Sequence, residues 1–284
     1  MLAAASSAPL AVQRVNLESL QRAPIGVFDS GIGGLSVVRA LRAKLPAEDI
    51  IYFADSAHCP YGARDDQFIQ ERSVAIAEHL IRSGIKLLVT ACNTACAVAL
   101  EQLRDMFEVA IVGLEPAVKP AVALTRTGRI AVFATPRTIG SPRLAGLVER
   151  HASEVDVELV PAPGWVEQVE SGIADPQRAR ALIEPLVKPA VNRGADVLVL
   201  GCTHYPFLER LIREAAGDAV EIVDSGAAVA RRVHHLLIRE DSARPMTAER
   251  GALTLMTTSS NPESVAILAS RLLDSTVLLQ QADV

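Results

Sequence analysis

A weak internal repeat limits the fold of this chain more than any other feature. IGVF at residues 25–28 returns as IAVF at 130–133, and LLVTACNT at 87–94 returns as LVLGCTHY at 198–205, a spacing of about 105–110 residues. Each repeated stretch is a strand-sized apolar run that stops at small or polar residues, where a helical pattern begins. Further runs of this kind stand at 50–55, 110–114, 157–163, 220–225 and 252–258, with the repeated ones extending over 25–29, 86–92, 129–135 and 196–202. Continuous apolar strands separated by helices predict parallel sheets covered on both faces. The expected fold is therefore α/β: two similar domains, each a mainly parallel sheet flanked by helices, related by pseudo-symmetry with the active site between them. The domain change is placed near Glu115 and Pro116 and the return near Asp224. This gives a first domain of 23–115 plus 225–284, a second of 116–224, and an extension at 1–22.

The 284 residues are half apolar but only 4% aromatic, so Ala, Val, Leu and Ile must fill the interior. A net charge of −5 offers no general attraction to phosphate backbones or anionic lipid, which argues against nucleic acid and membrane surfaces as partners. The longest apolar runs are far short of a membrane span. Residues 1–22 lack a basic n-region and Pro9 interrupts their apolar stretch, so they read as a disordered or helical extension rather than a signal peptide. Cys59, Cys92, Cys96 and Cys202 are too few and too scattered for a disulfide framework, which implies reduced thiols and a cytoplasmic protein.

Ligands of parallel sheets lie beyond the carboxyl ends of the strands, and Cys92 and Cys202 both stand there. After Cys92, Asn93 or Thr94 is read as the cap of the next helix. A thiol at that position feels the positive end of the helix dipole, which favours thiolate and a lowered pKa. Cys96 instead falls on an apolar stripe with Ala99, Leu100, Leu103 and Phe107 and reads as core. His204 follows Cys202 by two residues and can share a proton with it.

In FDSGIGGLSV at 28–37, Gly31, Gly33 and Gly34 make a sharp strand-to-helix turn. Its amides suit an anion, and Asp55 stands about 20 residues on, where a dinucleotide fold places its ribose-binding acid. The third fingerprint glycine is replaced by Ser36, so the match is partial and a plain turn is the favoured reading. Asp29 before the glycines suits an ammonium group or simply caps the helix. A zinc site of Cys59, Cys92, Cys202 and His204 lacks any close ligand pair, so no metal is expected. No lysine stands in a cluster to carry a pyridoxal Schiff base, so no cofactor is expected either.

Two cysteines at equivalent places in a repeat suit inversion of an amino acid at its α-carbon, which needs one group to remove a proton and another to deliver one to the opposite face. The charge that develops on carbon must be met by fixed donors away from water, and Ser30, Asn93, Thr94, Thr135, Thr138 and Thr203 stand beside predicted strand ends.

FDSGIGGLSV, CPYG at 59–62, ACNTA at 91–95, VGLEPAVKPA at 112–121, GCTHYP at 201–206 and VDSGAAVARR at 223–232 occur in the order found in the glutamate racemase family, and over residues 24–258 the chain resembles that family. The resemblance implies interconversion of L- and D-glutamate for peptidoglycan synthesis without pyridoxal phosphate or metal, by a monomer or homodimer. It implies Cys92 and Cys202 as the proton donor and acceptor pair, with Asp29 and His204 assisting. Substrate contacts would come from Asp29, Ser30, Tyr61, Gly62, Asn93, Thr94, Thr203 and His204, joined by Thr135 and Thr138. Glu170 in VESG resembles an acidic residue lining the site. Leu144 departs from the family pattern, standing where many members have tyrosine. The extension resembles that of members activated by UDP-N-acetylmuramoyl-L-alanine. The competing readings are an aspartate or hydantoin racemase of the same superfamily, and a non-catalytic protein that binds a nucleotide or DNA gyrase.

Overall fold

The computed structural model describes residues 17–245, 249–282 and 284. Its strands are β1 (Ile25–Asp29), β2 (Ile50–Ala54), β3 (Leu87–Thr90), β4 (Ala110–Gly113), β5 (Arg129–Ala134), β6 (Asp156–Pro161), β7 (Val197–Leu200), β8 (Glu221–Val223), β9 (Leu253–Thr257) and β10 (Leu278–Gln281). They form one six-stranded sheet, β10-β9-β2-β1-β3-β4, and one four-stranded sheet, β6-β5-β7-β8, in which every neighbouring pair is parallel.

The repeat is visible in the topology. The run β2-β1-β3-β4 has the same strand order as β6-β5-β7-β8, and Ile25 of β1 pairs with Leu87 of β3 as Ile130 of β5 pairs with Val197 of β7. In each sheet the chain changes direction across the sheet between the first strand and the third, and a crevice opens there at the carboxyl ends. After the four-stranded sheet, β9 and β10 return to the first one beside β2.

Both faces of each sheet are covered. Phe28, Phe53 and Leu88 of the larger sheet pack against Ile69, Ile76 and Leu80 of the helix Asp66–Arg82 and Leu103 of the helix Asn93–Met106. The opposite face, with Ile25, Val27 and Leu255, meets Leu35, Val38 and Leu41 of one helix and Val229 and Val233 of another. That cluster runs on without a break to Phe133, Trp165, Ile183 and Leu200 of the smaller sheet, so the two halves share a core. Val118, Leu144 and Leu147 cover the far face against Ile130, Val132, Val197 and Val199.

Two expectations are corrected. The strand read to Cys92 stops at Thr90, because Cys92 turns out of the ladder to begin the next helix. β10 is not foreseen at all, its four residues pairing only with β9 at the sheet edge. Of the extension, Leu17–Arg22 is helical, and residues 1–16 lie outside the described residues. The buried Lys86 holds that helix, donating to Gln21 O at 2.9 Å while paired with Glu48 at 2.6 Å. Among the described residues no helix is long and apolar enough to cross a membrane.

Candidate active site

Asp29 ends β1 at the crevice and is fully buried. Its Oδ1 accepts from Ser30 N at 2.7 Å, and its Oδ2 accepts from Gly34 N at 2.6 Å and from Thr203 Oγ1 at 3.0 Å. Burial raises its pKa above the ordinary carboxyl value, despite the opposing charge of His204 and these hydrogen bonds. The acid thus pins the glycine turn and also reaches across to the second sheet.

That turn is not a phosphate cradle. A side chain at Gly33 would strike the His204 ring, and one at Gly31 would strike Glu170 and Cys59. Gly31 and Gly33 are small so that the second half of the molecule can press against the turn, and Ile32 N already donates to Glu170 Oε1 at 2.8 Å. Asp55 has no room for a ribose either. It accepts two hydrogen bonds from Arg72, at 2.8 and 3.0 Å, one from Tyr61 Oη at 2.6 Å and one from Thr258 Oγ1 at 2.9 Å.

Cys92 is itself the cap of the helix Asn93–Met106, its Sγ accepting from Ala95 N at 3.5 Å. The sequence assigned this task to Asn93 or Thr94, which follow in the first turn with their side chains buried. The thiol is not acidified by the helix dipole. Burial pushes its pKa well above the ordinary thiol value and the adjacent Asp29 pushes it further, outweighing the Ala95 amide. Cys92 therefore rests as a thiol, with Ser30 Oγ at 3.9 Å and the Asp29 carboxylate in hydrogen-bonding reach.

Cys202 lies two residues beyond β7, in the equivalent place. Its Sγ stands 3.7 Å from His204 Nδ1, and the other ring nitrogen, Nε2, is 2.7 Å from Glu170 Oε1. Burial alone would lower the His204 pKa, but hydrogen bonds to Cys202, Cys59 and Glu170 carry it well above the ordinary imidazole value. Glu170 is held below the ordinary carboxyl range by His204 in spite of burial. An imidazolium thus faces the Cys202 sulfur, ready to neutralise a thiolate.

One cleft joins these groups. Asp29, Ser30, Cys92, Asn93 and Thr94 line it from the first sheet's side, and Thr135, Thr138, Cys202, Thr203 and His204 from the second's, with Tyr61 and Gly62 between them. The space between these walls is about 290 Å³. Thr94 and Thr135 meet across it at 3.3 Å, and Thr135 donates to Thr138 at 3.0 Å. Glu170 stands behind His204 rather than on the cleft wall. The zinc set read from the sequence does not assemble: among the described residues, the grouping of metal-ligand type is Cys59, Glu170 and His204.

The description Asp/Glu/Hydantoin racemase fits residues 25–233 of the chain. The chain belongs to that racemase family. Within it, the glutamate racemase of Pseudomonas paraeruginosa is 47% identical over 247 residues, 86% of this chain and 92% of that protein. The solved glutamate racemase isoform RacE1 of Bacillus anthracis superposes with a TM-score of 0.85 at 29% identity, covering 93% of this chain and 98% of that one. That of Escherichia coli, solved with L-glutamate and the activator UDP-MurNAc-ala, gives 0.79 at 32% identity over 91% and 98%. As a member of this racemase family the protein is an isomerase.

Three parts of this racemase's site escape sequence reasoning. Val166 and Pro60 line the cleft without polar chemistry to mark them. Arg72 holds the Tyr61 wall only through Asp55, from a helix whose pattern reads as ordinary amphipathic surface. Cys59, which the sequence set beside His204 only in a rejected zinc set, meets Glu170 from 111 residues away, a pairing that no spacing rule gives.

Proposed function

We propose that this protein is a glutamate racemase that interconverts L- and D-glutamate by a two-base proton transfer between Cys92 and Cys202, without a cofactor. The observation that carries the reading is that the two thiols line one cleft from opposite sheets, at equivalent positions of the repeat. The domains of this reading are 23–115 with 225–284, and 116–224, with 1–22 as an extension.

The substrate α-carbon would sit between the sulfurs. In one direction the Cys202 thiolate, facing the His204 imidazolium, removes the α-proton while the neutral Cys92 thiol gives its own to the opposite face. The proton count is unchanged, and the reverse direction exchanges the roles. Asp29 then takes up or returns the Cys92 proton, and His204 with Glu170 does the same for Cys202. Charge on the α-carbon and carboxylate is met by the donors of Ser30, Asn93, Thr94 and Thr203 in a closed, water-poor cleft. The Thr135 and Thr138 hydroxyls and the Tyr61–Gly62 wall bound the rest of the substrate, and cleft size excludes larger side chains. The similarity to glutamate racemases over most of the chain supports glutamate over aspartate or a hydantoin.

D-glutamate made in the cytoplasm would feed peptidoglycan synthesis, and the E. coli complex supports UDP-N-acetylmuramoyl-L-alanine as an activator here too. The test is single replacement with a coupled assay in both directions. Cys92→Ser and Cys202→Ser each abolish racemisation of glutamate with circular dichroism unchanged. Wild-type turnover in both variants, or faster racemisation of aspartate than of glutamate by the parent, overturns the reading. Addition of the precursor raises the rate if activation operates, and an unchanged rate removes that part alone.

A further inference from the structure

Behind the cleft, three side chains converge with no task in proton transfer that needs all of them. Cys59 Sγ donates to Glu170 Oε1 at 3.4 Å, and His204 Nε2 meets the same oxygen at 2.7 Å. One ligand atom from each lies within 4.8 Å of the others. We propose that Cys59, Glu170 and His204 form a binding site for a divalent ion of the Zn²⁺ class, which clamps the two halves of the molecule together and shuts the cleft.

The donor set is that of zinc: one sulfur, one imidazole nitrogen and one carboxylate oxygen, three protein ligands with a fourth position left for water. Bond lengths of about 2.0–2.3 Å in tetrahedral geometry place ligand atoms roughly 3.3–3.6 Å apart. The Cys59–Glu170 separation of 3.4 Å already matches, and the His204–Glu170 contact needs to open by about half an ångström. Hard ions of the Mg²⁺ class, which want several oxygens, find only one carboxylate.

The site is also confined. Gly31 and Gly33 lie against it so closely that neither position tolerates a side chain, and the Ile32 amide fixes the Glu170 oxygen. An ion there would bind His204 through Nε2 and leave Nδ1 directed at Cys202.

The consequence is mechanical. Cys59 precedes the Pro60–Gly62 wall on the first half, whereas Glu170 and His204 belong to the second. Thr94 and Thr135 touch across the cleft at 3.3 Å, so glutamate enters only when these walls part. An ion there ties Cys59 on one side of the seam to Glu170 and His204 on the other and opposes that parting. Ion binding stands apart from the proposed reaction, while the loss of turnover rests on it.

The experiment titrates the metal-stripped protein with Co²⁺ and Zn²⁺. Wild type gives a thiolate-to-cobalt charge-transfer absorption at one ion per chain, and Zn²⁺ suppresses racemisation at least tenfold, reversed by a chelator. Cys59→Ser loses the absorption, and whatever rate it retains resists Zn²⁺, whereas Cys202→Ser keeps the absorption. In the unmutated protein, Zn²⁺ shields Cys59 from alkylation, read by peptide mass mapping, so that the site is tested even should the serine variant misfold. No thiolate–cobalt absorption, an unaltered absorption in Cys59→Ser, or unshielded alkylation of Cys59 overturns the proposal. Absorption and shielding without loss of turnover overturns the clamp and leaves the ion site.

Discussion

His204 Nε2 and Glu170 Oε1 stand 2.7 Å apart with the imidazole buried, so the residue behind the cleft, rather than solvent, sets the charge on the ring that faces Cys202. Removing the carboxylate charge while keeping its shape isolates that effect. A hydrogen bond to a charged partner contributes about 1.5–3 kcal/mol, so Glu170→Gln lowers kcat by about tenfold to a hundredfold. KM changes less, because Glu170 does not line the cleft. Steady-state kinetics in both directions measure the split, and an unchanged kcat would show that Glu170 only fills space.

Asp55 gives the clearest pH dependence. Burial would raise its pKa, but hydrogen bonds from Arg72, Tyr61 and His58 hold it below the ordinary carboxyl value. A carboxyl lowered in this way stabilises the folded state above its unfolded pKa of about 3.9, and that contribution disappears as pH falls through the folded value. Asp55→Asn strands Arg72 and Tyr61 and costs about 3–5 kcal/mol near neutral pH. Urea unfolding should show the gap between the variant and the parent narrowing below about pH 4. A gap that stays constant with pH contradicts this.

Trp165 anchors the short helix that ends at Glu170. Fully buried, it stacks on Phe133 at 5.4 Å and meets the Tyr205 ring edge-on at 4.9 Å. Trp165→Ala should cost about 3–5 kcal/mol of stability, whereas Trp165→Phe, which keeps the stack, should cost clearly less. Chemical denaturation followed by far-ultraviolet circular dichroism compares the two, and equal losses would mean that the ring stack is unimportant.

The inner strands β1, β3 and β7 were legible because every residue in them is buried, so that hydrophobicity alone marks the chain. β10 was not, since an edge strand that holds Leu278 more than half exposed and ends in two glutamines carries no such mark. The repeated cysteines and the residues beside them were legible for a similar reason, as strand order brings strand ends together. What the sequence misjudged depends on distance and burial. The dipole argument for an acidic Cys92 holds in water-exposed surroundings and fails where burial and Asp29 act together. Asp55 has the position of a ribose-binding acid, but Arg72 and Tyr61, approaching from other elements, occupy both of its oxygens.

The source of the incoming hydrogen follows from the placement of the thiols. If the two sulfurs act as the proposed pair of bases, the proton delivered to the α-carbon is not the one removed from it. In the proposed mechanism Asp29 and His204 would relay protons to Cys92 and Cys202 whenever the cleft opens, so in deuterated water the donor thiol would exchange with solvent between turnovers. Product formed from either enantiomer should therefore carry deuterium at the α-carbon from the first turnovers, while the remaining substrate keeps its original hydrogen until the reverse reaction sets in. Proton magnetic resonance of the α-position during the early reaction, with each enantiomer as starting material, makes the measurement. Product that retains the original hydrogen would mean that a single base serves both faces, and the thiol on the opposite sheet would then have no chemical part.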